Sequence, residues 1–399
     1  MTTGLILVAV LSLDGCGPAP QELGMSRIHQ NGAEVGRAPM IPVELELPPQ
    51  YQRYPVLEAK SLAGKRILFQ QTPALLSSGG DRMGRCLVAL VSETSPVDSR
   101  RLFEAPDVTD RFSFDQTGNG ILTIRENGAT VFAYRFGMQE MDGVASDRFR
   151  STYIHPIFDP FGSVVTGDFP EDHLHHRGLS WMWPSVTVDD QTHDLWHIRG
   201  VRQKFERWLQ KESGPLCATI GVKNTWETAE RTIADEWVWV RSFIMGGLGR
   251  AIDISFTWRA RERIAIRGEE TKGYGGLCLR FAPRQETVIT TPNGRILEDS
   301  DLRAFSWADQ SGRFGGMQLL SGVAIFQHGE NLAYPAGWCL RHYGFLGVSW
   351  PGREQFILER DLPVTLRFRI WIHRGNASEG GVIEAFAGFA NPPQVLFQN

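Results

Sequence analysis

Residues 364–373 read VTLRFRIWIH. In an extended chain, side chains point alternately to opposite faces. Val364, Leu366, Phe368, Ile370 and Ile372 therefore share one face, with Thr365, Arg367, Arg369, Trp371 and His373 on the other. The same period of two runs through RAIDISFTW (250–258), where Ile252, Ile254, Phe256 and Trp258 alternate with Asp253, Ser255 and Thr257. TVFAYRF (130–136) and EWVWVRSFI (236–244) repeat it. A helix cannot gather residues at this spacing onto one apolar stripe, so these runs must be strands. Turn-forming residues separate them, in TGNG (117–120), ENG (126–128) and TPNG (291–294). Only SEGGVIEAFAGFA (378–390) has a helical pattern. Frequent strands with so little helix to cross between them predict antiparallel sheets rather than βαβ units. The expected class is all-β: a large antiparallel β-sandwich with few short helices.

A chain of 399 residues can form one large domain or two to three ordinary ones. Residues 1–45 read as a disordered or processed leader. Residues 46–108 read as a small β-rich N-terminal region, and 109–392 as the sandwich. The 42 glycines, 23 phenylalanines and 12 tryptophans suit a turn-rich β protein. A net charge of −4 without a basic stripe gives no reason to expect a nucleic-acid partner. The five cysteines, at 16, 86, 217, 278 and 339, are odd in number, far apart and without a CxxC pair. That argues against a zinc ribbon, a thioredoxin-like motif or a disulfide framework, and for buried free thiols.

The apolar run Leu5–Leu13 has the length of a signal-peptide core, but no Lys or Arg precedes it. Leu-Asp-Gly-Cys at 13–16 is a poor lipoprotein box, and Met25 or Met40 could be the true start. The expectation is a cytoplasmic protein, with periplasmic export or lipid anchoring as the alternative. No run of 18 apolar residues exists, so no membrane-spanning helix is expected.

The chemistry concentrates in DFPEDHLHHRGLSWMW (168–183), which holds three of the chain's ten histidines. Pro156, Pro160 and Pro170, with Gly162, Gly167 and Gly178, mark the surrounding segment as a long ordered loop system. If 171–177 is extended, Glu171, His173, His175 and Arg177 face one way and Asp172 and His176 the other. The three imidazoles then do not converge, and a site needs help from His155, His193, His197 or a more distant residue.

Two chemistries fit these residue types. Imidazole titrates near neutrality and serves as acid or base at sugar hydroxyls or beside a carbonyl. On this reading His155, His173 and His176 are catalytic with Asp172, and Asp168 or Asp172 orients a ring. Arg177 holds a carboxylate or oxyanion, and Trp181 and Trp183 stack on a pyranose. Alternatively His155, His173, His175 and His176 hold a divalent metal, although nothing in the sequence requires a cofactor. Against both stands a structural explanation, with the histidines bonding to loop backbone and the tryptophans in a core.

Three further stretches carry candidates. In DDQTHDLWH (189–197), His193 and His197 are four apart, the spacing of one helix face, but the segment reads equally as a polar loop held down by Trp196. FQHGENLAYPAGWCLRHYGFLGVSWPG (326–352) offers Asn331, Arg341, His342 and Tyr343 as binding residues beside glycine, together with His175 from the histidine loop. EETKGYGGLCLRF (269–281) lacks both phosphate-loop patterns. Gly275 and Gly276 there suit a tight strand entry, and Lys272 and Arg280 are weak ligand candidates.

Tyr153-x-His155-Pro156, Gly162 and Asp168-Phe169-Pro170-x-Asp172-His173-x-His175-His176-Arg177-Gly178 together resemble the PmoA-like family, a bacterial domain of unknown function. Weaker matches follow in order: Gly275-Gly276 to Leu279-Arg280-Phe281, Gly322-Val323-Ala324-Ile325, Asn331, Tyr334-Pro335, Trp338, Arg341-x-Tyr343-Gly344, Leu366-Arg367-Phe368-Arg369 and His373-x-Gly375. The resemblance covers roughly 46–390 and implies a galactose-mutarotase-like β-supersandwich. Its members accompany sugar oxidoreductases and isomerases. The family name echoes a methane oxygenase subunit, but that enzyme is an integral membrane protein, so a methane monooxygenase is not expected here. No family residue carries over as catalytic. The combined expectation is a carbohydrate-active hydrolase, lyase or epimerase using histidine acid/base chemistry on a sugar or keto-sugar. A metal-dependent hydrolase or lyase, and a non-catalytic carbohydrate-binding protein, are the alternatives. In each case the partner is a small-molecule carbohydrate.

Overall fold

The computed structural model describes residues 38–60, 65–76, 80, 83–91 and 102–393. The alternating runs become long antiparallel strands. Thr232–Phe243, Gly249–Ala260 and Pro363–Arg374 lie side by side at the centre of a nine-stranded sheet, with Val240 opposite Ile254 and Ile254 opposite Phe368. A second nine-stranded sheet contains Ala129–Arg135, Tyr153–Ile157, Leu179–Met182, Gly276–Arg280, Gly337–Arg341 and Phe345–Ser349. One apolar core joins the two sheets, with Leu122, Ile124 and Leu279 from the second packed against Ile220, Ile254 and Phe368 from the first. The rings of Trp181 and Phe256 meet across it at 4.5 Å. The all-β class and the antiparallel sandwich follow directly from this arrangement.

At the middle of this core sits a carboxylate. Glu236 is fully buried, and its Oε2 accepts from the indole N–H groups of Trp181 (3.0 Å), Trp226 (2.9 Å) and Trp258 (2.8 Å) and from Gln203 (3.0 Å). Oε1 accepts from Asn224 at 2.9 Å. Neutral donors thus replace the water that the group loses on burial.

The polar residues of the alternating strands are buried too. Asp253, Ser255 and Thr257 are each at most 2% exposed. The outer face of the long sheet is covered by a five-stranded N-terminal sheet and by the helix Val382–Ala390. Between these layers Arg369 pairs with Asp253 at 2.6 and 3.0 Å, Arg241 with Glu44 at 3.0 Å, and Thr72 with Thr219 at 2.8 Å. The period of two therefore separates an apolar interlayer from a mixed one, in which Val88, Phe326, Trp371 and Phe389 form a second apolar cluster beside these polar pairs.

The N-terminal sheet begins with Ile41–Glu46, inside the stretch that the sequence reads as leader, and ends with Phe103–Glu104. Residues 1–37, with the signal-like run, lie outside the described residues. Cys86, Cys217, Cys278 and Cys339 are free and buried. Among the described residues no helix is long and apolar enough to cross a membrane.

Candidate functional site

Asp168 and Arg177 face each other in an isolated antiparallel bridge, and the chain between them is not extended. Two successive turns coil it. His173 N donates to Pro170 O (3.0 Å) and His176 N to His173 O (2.8 Å). The Arg177 guanidinium closes the coil from beneath, donating to the carbonyls of Leu174, His176 (2.8 Å) and Arg148 (2.7 Å). Gly178 then passes so close to the neighbouring strand that a Cβ would collide with the Ile154 carbonyl, at a φ of +24°. The alternation expected for 171–177 fails because strand geometry does not apply to a coil, and all three imidazoles turn to one side.

They meet a hairpin from far along the chain. Tyr343, Gly344 and Phe345 lie at the turn between Gly337–Arg341 and Phe345–Ser349. Tyr343 stacks on His173 (5.2 Å, 12°), His173 on His176 (4.7 Å, 5°) and His176 on Phe345 (5.0 Å, 27°). This four-ring ladder forms one wall of a cavity of about 240 Å³. His175 stands edge-on to His176 at 4.6 Å and leads to His197 at 4.3 Å. Trp196, Tyr274, Lys272, Cys339 and Arg341 complete the lining.

The imidazoles divide into two kinds. His173 and His197 each face a carboxylate through Nδ1. Asp172 Oδ2 lies 3.0 Å from His173, and Asp194 Oδ2 lies 2.7 Å from His197. Asp194 also accepts the His197 backbone N–H at 2.8 Å, and Asp172 is gripped by Arg280 Nη2 at 2.7 and 2.8 Å. Burial works against charge on both carboxylates, yet these partners hold them below the usual carboxylate range. His175 and His176 have no such support. Burial, reinforced by the neighbouring histidines, lowers the pKa of His175 to about 3 and that of His176 further still, so both are neutral. His176 is 4% exposed, and its Nδ1 has no hydrogen-bond partner.

Of the residues expected at a site, His173, His175, His176, Arg341 and Tyr343 line the cavity, with Asp172 directly behind His173. The others sit elsewhere. His155 bonds through Nδ1 to Thr166 (2.9 Å) on the far side of the loop, and burial lowers its pKa to about 3. Asp168 accepts from Tyr153 (3.0 Å) and lies 3.5 Å from Arg177. That pair anchors the coil, and Arg177 is 1% exposed. Trp181 is also 1% exposed and bonds to Glu236, and Trp183 lies in the same core, so neither offers a face to a sugar. Asn331 binds the backbone of Arg367 through both ends of its amide, at 2.7 Å each. His342 points to Asp299 (2.9 Å) and the Ile296 carbonyl (3.1 Å), away from the lining.

His197 is the residue whose importance the sequence understates. The helical pairing with His193 does not form. His193 ends the short strand Gln191–His193, while Asp194-x-x-His197 closes a turn through the carboxylate. An Asp accepting the backbone N–H three residues on is a legible turn signal, and it would have singled out this pair. Lys272, a weak ligand candidate in the sequence, does line the cavity, while Tyr274 and Cys339 come from strands and loops with no local signature.

The metal-ligand set His155, His173, His175 and His176 does not fit, because His155 lies outside the cavity. Among the described residues no group of three or more His, Cys, Asp or Glu side chains could hold a metal ion.

A family model matches residues 122–387 and so spans every residue lining the cavity. The chain belongs to this family of unknown function (DUF6807). The family is described in those terms and not by the PmoA-like name. None of the curated proteins matches this DUF6807 chain. Solved structures that resemble it include a galactose mutarotase related enzyme from Lactobacillus acidophilus, with 8% identity, 66% of this chain and 97% of that one covered, and a TM-score of 0.30. A Klebsiella pneumoniae protein assigned as an aldose 1-epimerase shares 11% identity over 84% of this chain and 90% of its own, with a TM-score of 0.30. The GH36 α-galactosidase of Geobacillus stearothermophilus shares 10% identity over 67% of this chain and 40% of its own, with a TM-score of 0.32.

Proposed function

We propose that the protein is a carbohydrate-active enzyme in which His173 and His197 act as acid and base on an oxidised (keto) sugar. The observation that carries this reading is the pair of imidazoles lining one cavity, each with Nδ1 against a carboxylate, at 3.0 Å for Asp172 and 2.7 Å for Asp194. At His197 the Asp194 carboxylate bonded to Nδ1 fixes the tautomer and leaves Nε2 to exchange protons with a ligand, while Asp172 stands beside His173 Nδ1 as a charge at 3.0 Å without a hydrogen bond. One ring in its neutral form removes a proton from the carbon beside the carbonyl. The other, protonated, returns a proton to the opposite face or to a departing oxygen. Epimerisation and elimination both follow from that step. Hydrolysis of a keto-glycoside follows when water adds to the product of elimination.

The rest of the lining fits this task. Lys272 and Arg341 place positive charge on the lining, which favours an anionic group on the ligand. Trp196, Tyr274 and Tyr343 offer apolar rings to the C–H faces of a pyranose. The cavity, about 240 Å³, lies just below the ~300–1,000 Å³ of drug-sized sites and suits one sugar ring. The resemblance of the Asp168–Gly178 segment to the PmoA-like family, whose members accompany sugar-processing enzymes, points the same way.

Incubating the protein with keto-glycosides in deuterated water tests the reading by NMR. Deuterium should enter at the carbon beside the carbonyl, and His197→Asn and His173→Asn should each abolish that exchange. Tight binding of a keto-glycoside with no exchange and no product would make the protein a binding module.

A further inference from the structure

We propose that the ligand is a sugar acid, a pyranose bearing one carboxylate, held by Lys272 and Arg341 at the edge of the histidine cavity. This deepens the acid/base reading and rests on it.

Charge on the lining has one sign. Lys272 and Arg341 line the cavity, and among the described residues no Asp or Glu does. The nearby carboxylates are all occupied from behind, Asp172 by Arg280 and His173, Asp194 by His197, and Asp301 by Arg341. Arg341 is partly committed, since its Nη1 donates to the carbonyls of Ser300 and Leu340 at 3.0 Å each. Lys272 is not. The Glu269 carboxylate beside it accepts the Lys272 backbone N–H at 2.7 Å, and among the described residues no carboxylate lies within ion-pair distance of Lys272 Nζ. An exposed ammonium with Glu269 nearby but no close ion pair, on the rim of a cavity that no acidic side chain lines, attracts an anion.

Deeper in, the cavity presents unmet hydrogen-bonding capacity. His176 lines it at 4% exposure with Nδ1 unpartnered. Arg280, 7% exposed, has its guanidinium 4.7 Å from the Tyr343 ring and leaves Nε and Nη1 without partners. Arg280 lies behind the ring ladder rather than in the lining, and its charge is paired with Asp172.

A carboxylate suits this arrangement better than a phosphate. Phosphate sites draw on several backbone N–H groups at a helix N-terminus. Here none of the lining residues opens an α-helix, and the uncommitted charge is one ammonium assisted by one shared guanidinium. In the acid/base reaction the same carboxylate would fix which carbon of the ring faces His173 and His197.

Calorimetric titration of the full-length protein with D-glucuronate, D-galacturonate, D-glucose, D-galactose and D-glucose 6-phosphate, at low and high salt, tests the proposal. One of the two uronates should bind about tenfold more tightly than its neutral counterpart, with the advantage falling as salt rises. In Lys272→Met, an exposed substitution that leaves the core intact, that advantage should shrink to about twofold, with neutral-sugar affinity held. Three results would overturn the proposal: neutral sugars binding as well as uronates, the phosphate ester binding more tightly than both uronates, or no binding by either uronate. The deuterium exchange of keto-glycosides is read separately. Exchange that persists when the uronates fail leaves the acid/base reading standing without the carboxylate, and loss of exchange removes the reading itself.

Discussion

The imidazoles of His173 and His176 lie 4.7 Å apart and 5° from parallel, although an extended chain would put them on opposite faces. They are three residues apart on a coiled loop, and they stay stacked because Tyr343 and Phe345 close the ladder at its two ends. The ladder is thus assembled from two chain segments that meet only in the fold.

Removing a middle ring should show this. His176→Ala leaves a gap between His173 and Phe345, and a loss of about 1–3 kcal/mol in urea denaturation is expected. His176→Phe keeps the ladder and removes the ring nitrogens. It should recover most of that stability without recovering ligand binding. Equal stability of the two variants would show that the ladder contributes nothing to the fold.

Acid should weaken the protein in a defined window. Burial lowers the pKa of His155 and His175 to about 3 in the folded state, below the ~6.5 of an exposed imidazole. Below that exposed value the unfolded chain binds more protons than the folded one, so stability rises with pH across the window. The full contribution is present above about pH 6.5 and is lost progressively as the pH falls toward 3. The carboxylates of Asp172 and Asp194, held low in the fold, act in the same direction. Unfolding free energies at pH 7, 5.5 and 4.5 should fall in that order, and His175→Gln should flatten the slope.

The orienting role of Asp194 has its own signature. Asp194→Asn keeps the contact with His197 but favours the wrong ring tautomer, and a comparable exchange in a catalytic dyad costs up to about 10⁴-fold in rate. Deuterium exchange should drop by about 10²-fold or more, while ligand affinity changes by less than about threefold. A parallel loss of affinity would make Asp194 a determinant of loop shape alone.

Glu236 is a test of the core. Its carboxylate accepts from three indoles and two amides, so Glu236→Gln turns one acceptor into a donor facing other donors. A cost of about 2–4 kcal/mol is expected from the unpaired groups. An unchanged denaturation midpoint would mean that the indoles find other acceptors.

Metal dependence separates the histidine roles. Dialysis of untagged protein against a chelator should leave keto-sugar exchange unchanged. Loss of exchange that zinc restores would turn the imidazoles from acid and base into ligands.

The strands were readable because their signal is local. Each alternating run, from Ala129–Arg135 to Pro363–Arg374, carries its own apolar face, and flanking turn residues mark where it ends. That was enough to determine an antiparallel all-β chain with one short C-terminal helix, and to single out 168–183, whose three histidines line the cavity. Local pattern could not say what covers each face. Asp253 and Arg369 look like solvent positions in the sequence and are buried because the N-terminal sheet packs over them. Trp181 looks like a sugar platform and is bound into the core by Glu236.

Tertiary structure alone decided the site. The histidine loop coils because Arg177 reaches the carbonyl of Arg148, 29 residues earlier, as well as those of its own turn. His197 joins through a turn made by Asp194, and the wall is completed by a hairpin about 170 residues further on. Such contacts depend on which distant elements become neighbours, and no spacing within a short window encodes them.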